Sequence, residues 1–154
     1  MAETITLEWQ ECWQAGTVGV MRRIAGMKNA RRDKFAHRDR WENEVEGACA
    51  ELAVARSFGK YWHSFAGDLS ALPGDAGPIQ VRWVKDPEGC LPVRPSDPDD
   101  ARFYMVTGAM PTFTIIGYIH GRDARRREWY REAPPPYWAV PQSALLPHVP
   151  DDLF

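Results

Sequence analysis

The stretch WENEVEGACAELAVARSF, residues 41–58, decides the fold. Val45, Ala48, Cys49, Leu52 and Ala55 recur at steps of three and four, the spacing that lines one face of an α-helix, and Gly59 supplies the stop. The spacing predicts a helix over 41–58 whose small side chains let it lie close against a sheet. Glu44 and Glu51, seven residues and two turns apart, project from nearly the same stripe of that helix, while Glu46 points elsewhere. A carboxylate held at Glu51 among Gly47, Ala48 and Ala55 needs a cation or a donor to offset its desolvation.

Working outward toward the N-terminus, Trp9, Trp13, Gly16, Val20 and Ile24 follow the cap residue Thr6 at helical steps. They predict an amphipathic helix with these residues on its apolar side. Residues 1–40 then read as a helical extension that ends in a basic segment, and 41–154 as the core domain. On the other side, extended segments are expected at 61–65, 79–85, 90–94, 102–107, 112–120 and 137–140. Asp86-Pro87-Glu88-Gly89 reads as a hairpin turn between two of them, and a further helix is expected around 124–131. Helices followed by strands point to an α/β (α+β) domain, a mixed sheet flanked by helices.

A chain of 154 residues, 44% hydrophobic and 26% charged, is sized for one domain around one core. No apolar run approaches the roughly 18 residues of a membrane span, and MAETITLEWQ lacks the positive flank and apolar stretch of a signal peptide. The expectation is a cytoplasmic protein without a membrane partner, its three cysteines reduced. The formal charge of −2 conceals a strong polarity. Residues 21–40 carry +6, from a set that includes Arg31, Arg32, Lys34 and Arg38, and residues 122–131 carry +3, with Arg125, Arg126 and Arg127 in a row. The other 124 residues hold −11. Basic clusters on an otherwise acidic chain are the footprint of a protein that contacts a phosphate backbone.

The four histidines never form HExxH or a paired Cys/His set, and Walker A, GxGxxG and GxSxG sequences are absent. Carboxylates remain. The turn Pro73-Gly74-Asp75-Ala76-Gly77-Pro78 precedes the strand IQVRWVK, where alternation puts Gln80 and Arg82 on one face and Val81, Trp83 and Lys85 on the other. Asp75, Gln80 and Glu51 are hard oxygen donors of the kind Mg²⁺ prefers, a set that could converge on one ion.

At these residues the chain resembles the PD-(D/E)XK nuclease superfamily. The segment Ala50-Glu51-Leu52-Ala53-Val54-Ala55 looks like its first core helix, and the turn and strand around Asp75, Gln80 and Arg82 look like its catalytic unit. The segments 90–94, 106–108, 113–119 and 137–143 are similar to small phage-type members, so the resemblance spans about residues 41–147. It implies Asp75, Gln80 and Glu51 as ligands of Mg²⁺ or Mn²⁺ and metal-dependent hydrolysis of a nucleic-acid phosphodiester, DNA ahead of RNA. The departure is Arg82 where the superfamily has lysine: arginine balances phosphate charge but hardly activates a water. The alternative is a fold of this kind with a decayed site, a phage accessory or inhibitor module that binds nucleic acid or a protein partner. Oligomeric state is open.

Overall fold

The computed structural model describes residues 2–28, 40–60, 62 and 79–149. The extended segment expected at 61–65, apart from Trp62, lies outside them, as do Asp75 with its turn and Arg31, Arg32, Lys34 and Arg38. The architecture is α+β with one mixed sheet, as expected. In chain order the elements are β1 (Glu3–Thr6), α1 (Trp9–Lys28), α2 (Arg40–Ser57), β2 (Ile79–Trp83), β3 (Leu91–Val93), β4 (Arg102–Ala109), β5 (Thr112–His120), α3 (Gly121–Ala124), β6 (Tyr130–Arg131) and β7 (Tyr137–Val140). A four-stranded sheet runs β1-β5-β4-β2, with β2 parallel to β4 and the other pairs antiparallel. A three-stranded antiparallel sheet runs β3-β7-β6.

The larger sheet is covered on both faces. On one, Tyr104, Val106, Phe113 and Ile115 pack with Ala50, Ala53 and Val54 of α2, and α1 adds Cys12 and Ala15. On the other, Phe103, Met105 and Ile119 meet Leu91, Val93 and Val140 of the small sheet. Strand β4 accordingly reads as a continuous buried run from Phe103 to Thr107, the pattern of a central strand.

Helix α2 lies between α1 and the sheet, which explains its composition: Ala48, Cys49, Ala50, Ala53, Val54 and Ala55 are all buried, on more than one side. The partner helix shows the same economy. At Gly19 an added Cβ would stand 2.5 Å from the Glu44 carbonyl oxygen and from Val45 Cα, so the two backbones touch there.

Four sequence expectations are corrected. Helix α1 forms, but with the opposite face inward: Cys12, Ala15, Val18 and Gly19 are buried, while Trp9, Trp13, Val20 and Ile24 are exposed. Contact this close selects small residues over bulky ones. The segment ETIT is a strand, paired with β5 and carrying the side-chain pairs Thr4–Thr114 and Thr6–Thr112. Residues 86–89 do turn, with the Gly89 amide donating to the Asp86 carbonyl, but the turn links the two sheets and not a hairpin. Around 124–131 there is a four-residue helix, a single 3-10 turn at Arg127–Trp129 and the start of β6.

The helix contact yields a prediction. Gly19→Ala should lower stability to urea by about 2 kcal/mol, overpacking against backbone outweighing the helix preference of alanine. Gly47→Ala, where nothing lies within 4 Å, should instead gain up to ~1 kcal/mol. Equal effects at the two sites would contradict the packing described.

Candidate functional site

A cleft of about 910 Å³ opens where α2, the β2 edge and the small sheet meet. Its lining brings together Arg22, Arg82, Lys85, Arg94 and Arg131 with Glu42, Glu44 and Glu51. Two residues picked out from sequence, Glu51 and Arg82, therefore share one cavity. Each is already engaged.

Glu51 accepts two hydrogen bonds from Arg22, at 3.1 and 2.9 Å, a bidentate fork that joins α1 to α2. Burial pushes its carboxyl above the ordinary glutamate range, and the hydrogen bonds and charge of Arg22 pull it back. The expected need for a cation at Glu51 is met from within the chain. Arg82 donates to Asp97 at 2.9 Å and lies 5.2 Å from the Phe103 ring centroid, which fixes its guanidinium under the small sheet. The same aspartate accepts the Arg94 backbone amide at 2.8 Å. Arg94 is held below its ordinary basicity first by burial and then by the like charge of Arg82, with Asp97 opposing. The Arg82 guanidinium and the Arg94 backbone amide share one carboxylate here.

Gln80 does not line the cleft. Ile79, Val81 and Trp83 face the α2 side, so strand alternation turns Gln80 with Arg82 toward the other face. Asp75 lies outside the described residues, and among those described no three His, Cys, Asp or Glu side chains gather to hold a metal ion. Taken alone, the described part of the expected ligand set does not fit a divalent cation: both Glu51 oxygens are taken by Arg22, and Gln80 leaves from the opposite side of β2. Lys85, expected to point away, reaches the cleft and pairs with Glu42 at 2.7 Å, because β2 ends at Trp83 and alternation stops there.

The basic row at 125–127 divides. Arg125 is a staple, donating to Asp99, to the carbonyls of Gly121 and Asp97, and stacking 5.4 Å from the Trp138 centroid. Arg126 and Arg127 are exposed, Arg126 lying 4.9 Å from the Trp129 centroid. Three cleft residues escaped sequence reasoning as site residues. Arg22 was one of eight basic residues in a run, Arg94 sat in a short strand segment, and Arg131 closed the second basic run.

A second polar cluster joins Ser57 Oγ, His148 Nε2 and Glu3 Oε2. It is not a catalytic triad, since serine and acid both meet Nε2, whereas activation of a serine needs the acid on Nδ1. The imidazole is buried against the edges of Phe58 and Tyr104 and clamps the C-terminal segment to α2 and β1. No described helix is long and apolar enough to cross a membrane. No family model, curated protein or solved structure matches the chain.

Two predictions test these anchors. Glu51→Ala, by stranding the Arg22 guanidinium, should cost about 3 kcal/mol in urea unfolding. A loss under ~1 kcal/mol would show the pair to be incidental. Burial holds the His148 pKa below its usual 6.5 against the opposing pull of Glu3. From 6.5 down to that lower value the unfolded chain binds a proton that the native chain refuses, so stability is full above 6.5 and falls as the pH drops through this window. Desolvation shifts His120 the same way. The urea midpoint should drop between pH 7 and 5.5, and less so in His148→Phe; a midpoint that holds steady or rises would contradict the buried neutral ring.

Proposed function

We propose that this chain binds the phosphodiester backbone of nucleic acid in the cleft between α2, β2 and the small sheet, and does so without cutting it. The observation that carries the reading is the Arg82–Arg94–Asp97 group. Arg82 and Arg94 both line the cleft, and burial together with the like charge of Arg82 holds Arg94 below its ordinary basicity, a cost that a phosphate placed there reduces. Arg131 lines the same cleft, as does Lys85 with its partner Glu42. Contacts of this kind set affinity and orientation, not sequence preference. The choice of DNA over RNA follows the superfamily resemblance.

Metal-dependent hydrolysis is the second reading, and what favours it is the position of Glu51: a desolvated carboxylate on the cleft wall. The superfamily resemblance would add Asp75 and Gln80 as ligands of a divalent ion, but Gln80 leaves from the opposite side of β2. Glu51 would first have to release Arg22. The internal ion pair makes binding alone the better supported of the two.

Fluorescence anisotropy of labelled single- and double-stranded DNA and RNA in EDTA, from 50 to 250 mM salt, tests the proposal. Binding is expected without metal, with affinity falling steeply as salt rises. Arg94→Gln and Arg131→Gln should each weaken it and reduce the log–log salt slope by about one. Absence of binding at 50 mM salt would refute it. Cleavage in Mg²⁺ that Asp75→Ala abolishes would replace it with the second reading.

A further inference from the structure

The outer face of α1 is apolar and open. Trp9 and Trp13 are 75% and 76% exposed, and Val20, Met21, Ile24 and Met27 are exposed beside them. The two indoles alone offer on the order of 300 Å² of apolar surface, about the largest patch an ordinary monomer shows. With the other four side chains the patch approaches the ~800 Å² per partner of a standard interface.

We propose that a second copy of this chain covers this face, its α1 packed antiparallel on the first about a two-fold axis. The spacing is the first argument. Gln10, Trp13, Thr17, Val20, Ile24 and Met27 are all exposed and follow at steps of three, four, three, four and three, the seam of a two-helix coiled coil. That series reads the same from either end. Rotation about a point between Val18 and Gly19 places Trp13 opposite Ile24, Thr17 opposite Val20 and Gln10 opposite Met27, so each indole meets a smaller side chain, the central layer pairs two small β-branched residues, and the same surface faces itself, as a two-fold interface requires.

Charge is the second argument. Glu8 lies at one end of α1 and Arg23 and Lys28 at the other, while Glu11 and Arg22 pair within the chain with Arg56 and Glu51. Antiparallel pairing sets acid against base and opposes the helix dipoles, whereas parallel pairing sets like against like. Shape is the third. A groove of about 680 Å³ runs beside Trp13, Gln14 and Thr17 toward Leu52 and Trp62. In the antiparallel register the partner helix turns Met21 and Ile24 toward it.

Sedimentation equilibrium of the full chain from 1 to 200 µM tests the proposal. The wild type should reach twice the 17.5 kDa chain mass. Trp13→Glu, at a position too exposed to govern folding, should keep the wild-type far-UV circular dichroism and weaken association at least tenfold. Trp13→Glu with Ile24→Lys should regain at least tenfold over Trp13→Glu alone, because each glutamate then faces a lysine across the two-fold. A wild type that stays monomeric throughout overturns the proposal, whatever other partner the patch then proves to hold. A double variant no tighter than the single one overturns the antiparallel register.

Discussion

The approach of α1 to α2 at Gly19 is the constraint on which the rest of the structure depends. With the backbones in contact there, α2 has no room for large side chains on the α1 side, and the sheet leaves little more on the other. Alanine, cysteine and valine fill both interfaces. The same proximity brings Arg22 within reach of Glu51, so an acid on the sheet side of α2 is neutralised by a base from α1. Layer order, helix composition and the state of the most conspicuous carboxylate follow from one glycine contact.

Electrostatics in the cleft are arranged by partition. Glu51 is offset by Arg22 and Lys85 by Glu42, while Asp97 takes the Arg82 guanidinium and the Arg94 backbone amide. The first two balance within the chain. The third sets two like charges near each other, which helps to lower the basicity of Arg94, and it sits where the edge of β2 and the small sheet leave room for a ligand. That like-charge contact in a partly buried place separates the cleft from an ordinary exposed salt-bridged surface.

Much of the fold was legible. Helix α2, strands β2, β4, β5 and β7 and the α+β class follow from periodicity and turn residues, because those segments are buried in register with their own spacing. Helix α1 was legible as a helix and misleading as a surface. The eye takes Trp9, Trp13, Val20 and Ile24 for a core stripe, yet only Ala15, Gly19 and their neighbours are small enough for so close a contact. ETIT is too short and too polar to announce β1, whose pairing depends on threonines of β5 a hundred residues away. Of the site, Glu51 and Arg82 were visible as candidates. Their partners Arg22 and Asp97 were not, since the first hides in a basic run and the second in a Pro/Asp loop. Sequence spacing gives no measure of a pairing across 29 residues or across two sheets.

The proposed binding rests on a phosphate being drawn to Arg82 and Arg94. A titration of isotopically labelled protein with a short oligodeoxynucleotide in EDTA, followed by NMR, tests this most directly. The largest shifts should fall on the Arg82 and Arg94 side chains and on the Trp83 indole, which lines the same cleft. Shifts confined to Arg126 and Arg127, or to the outer face of α1, with the cleft signals unmoved, would contradict it.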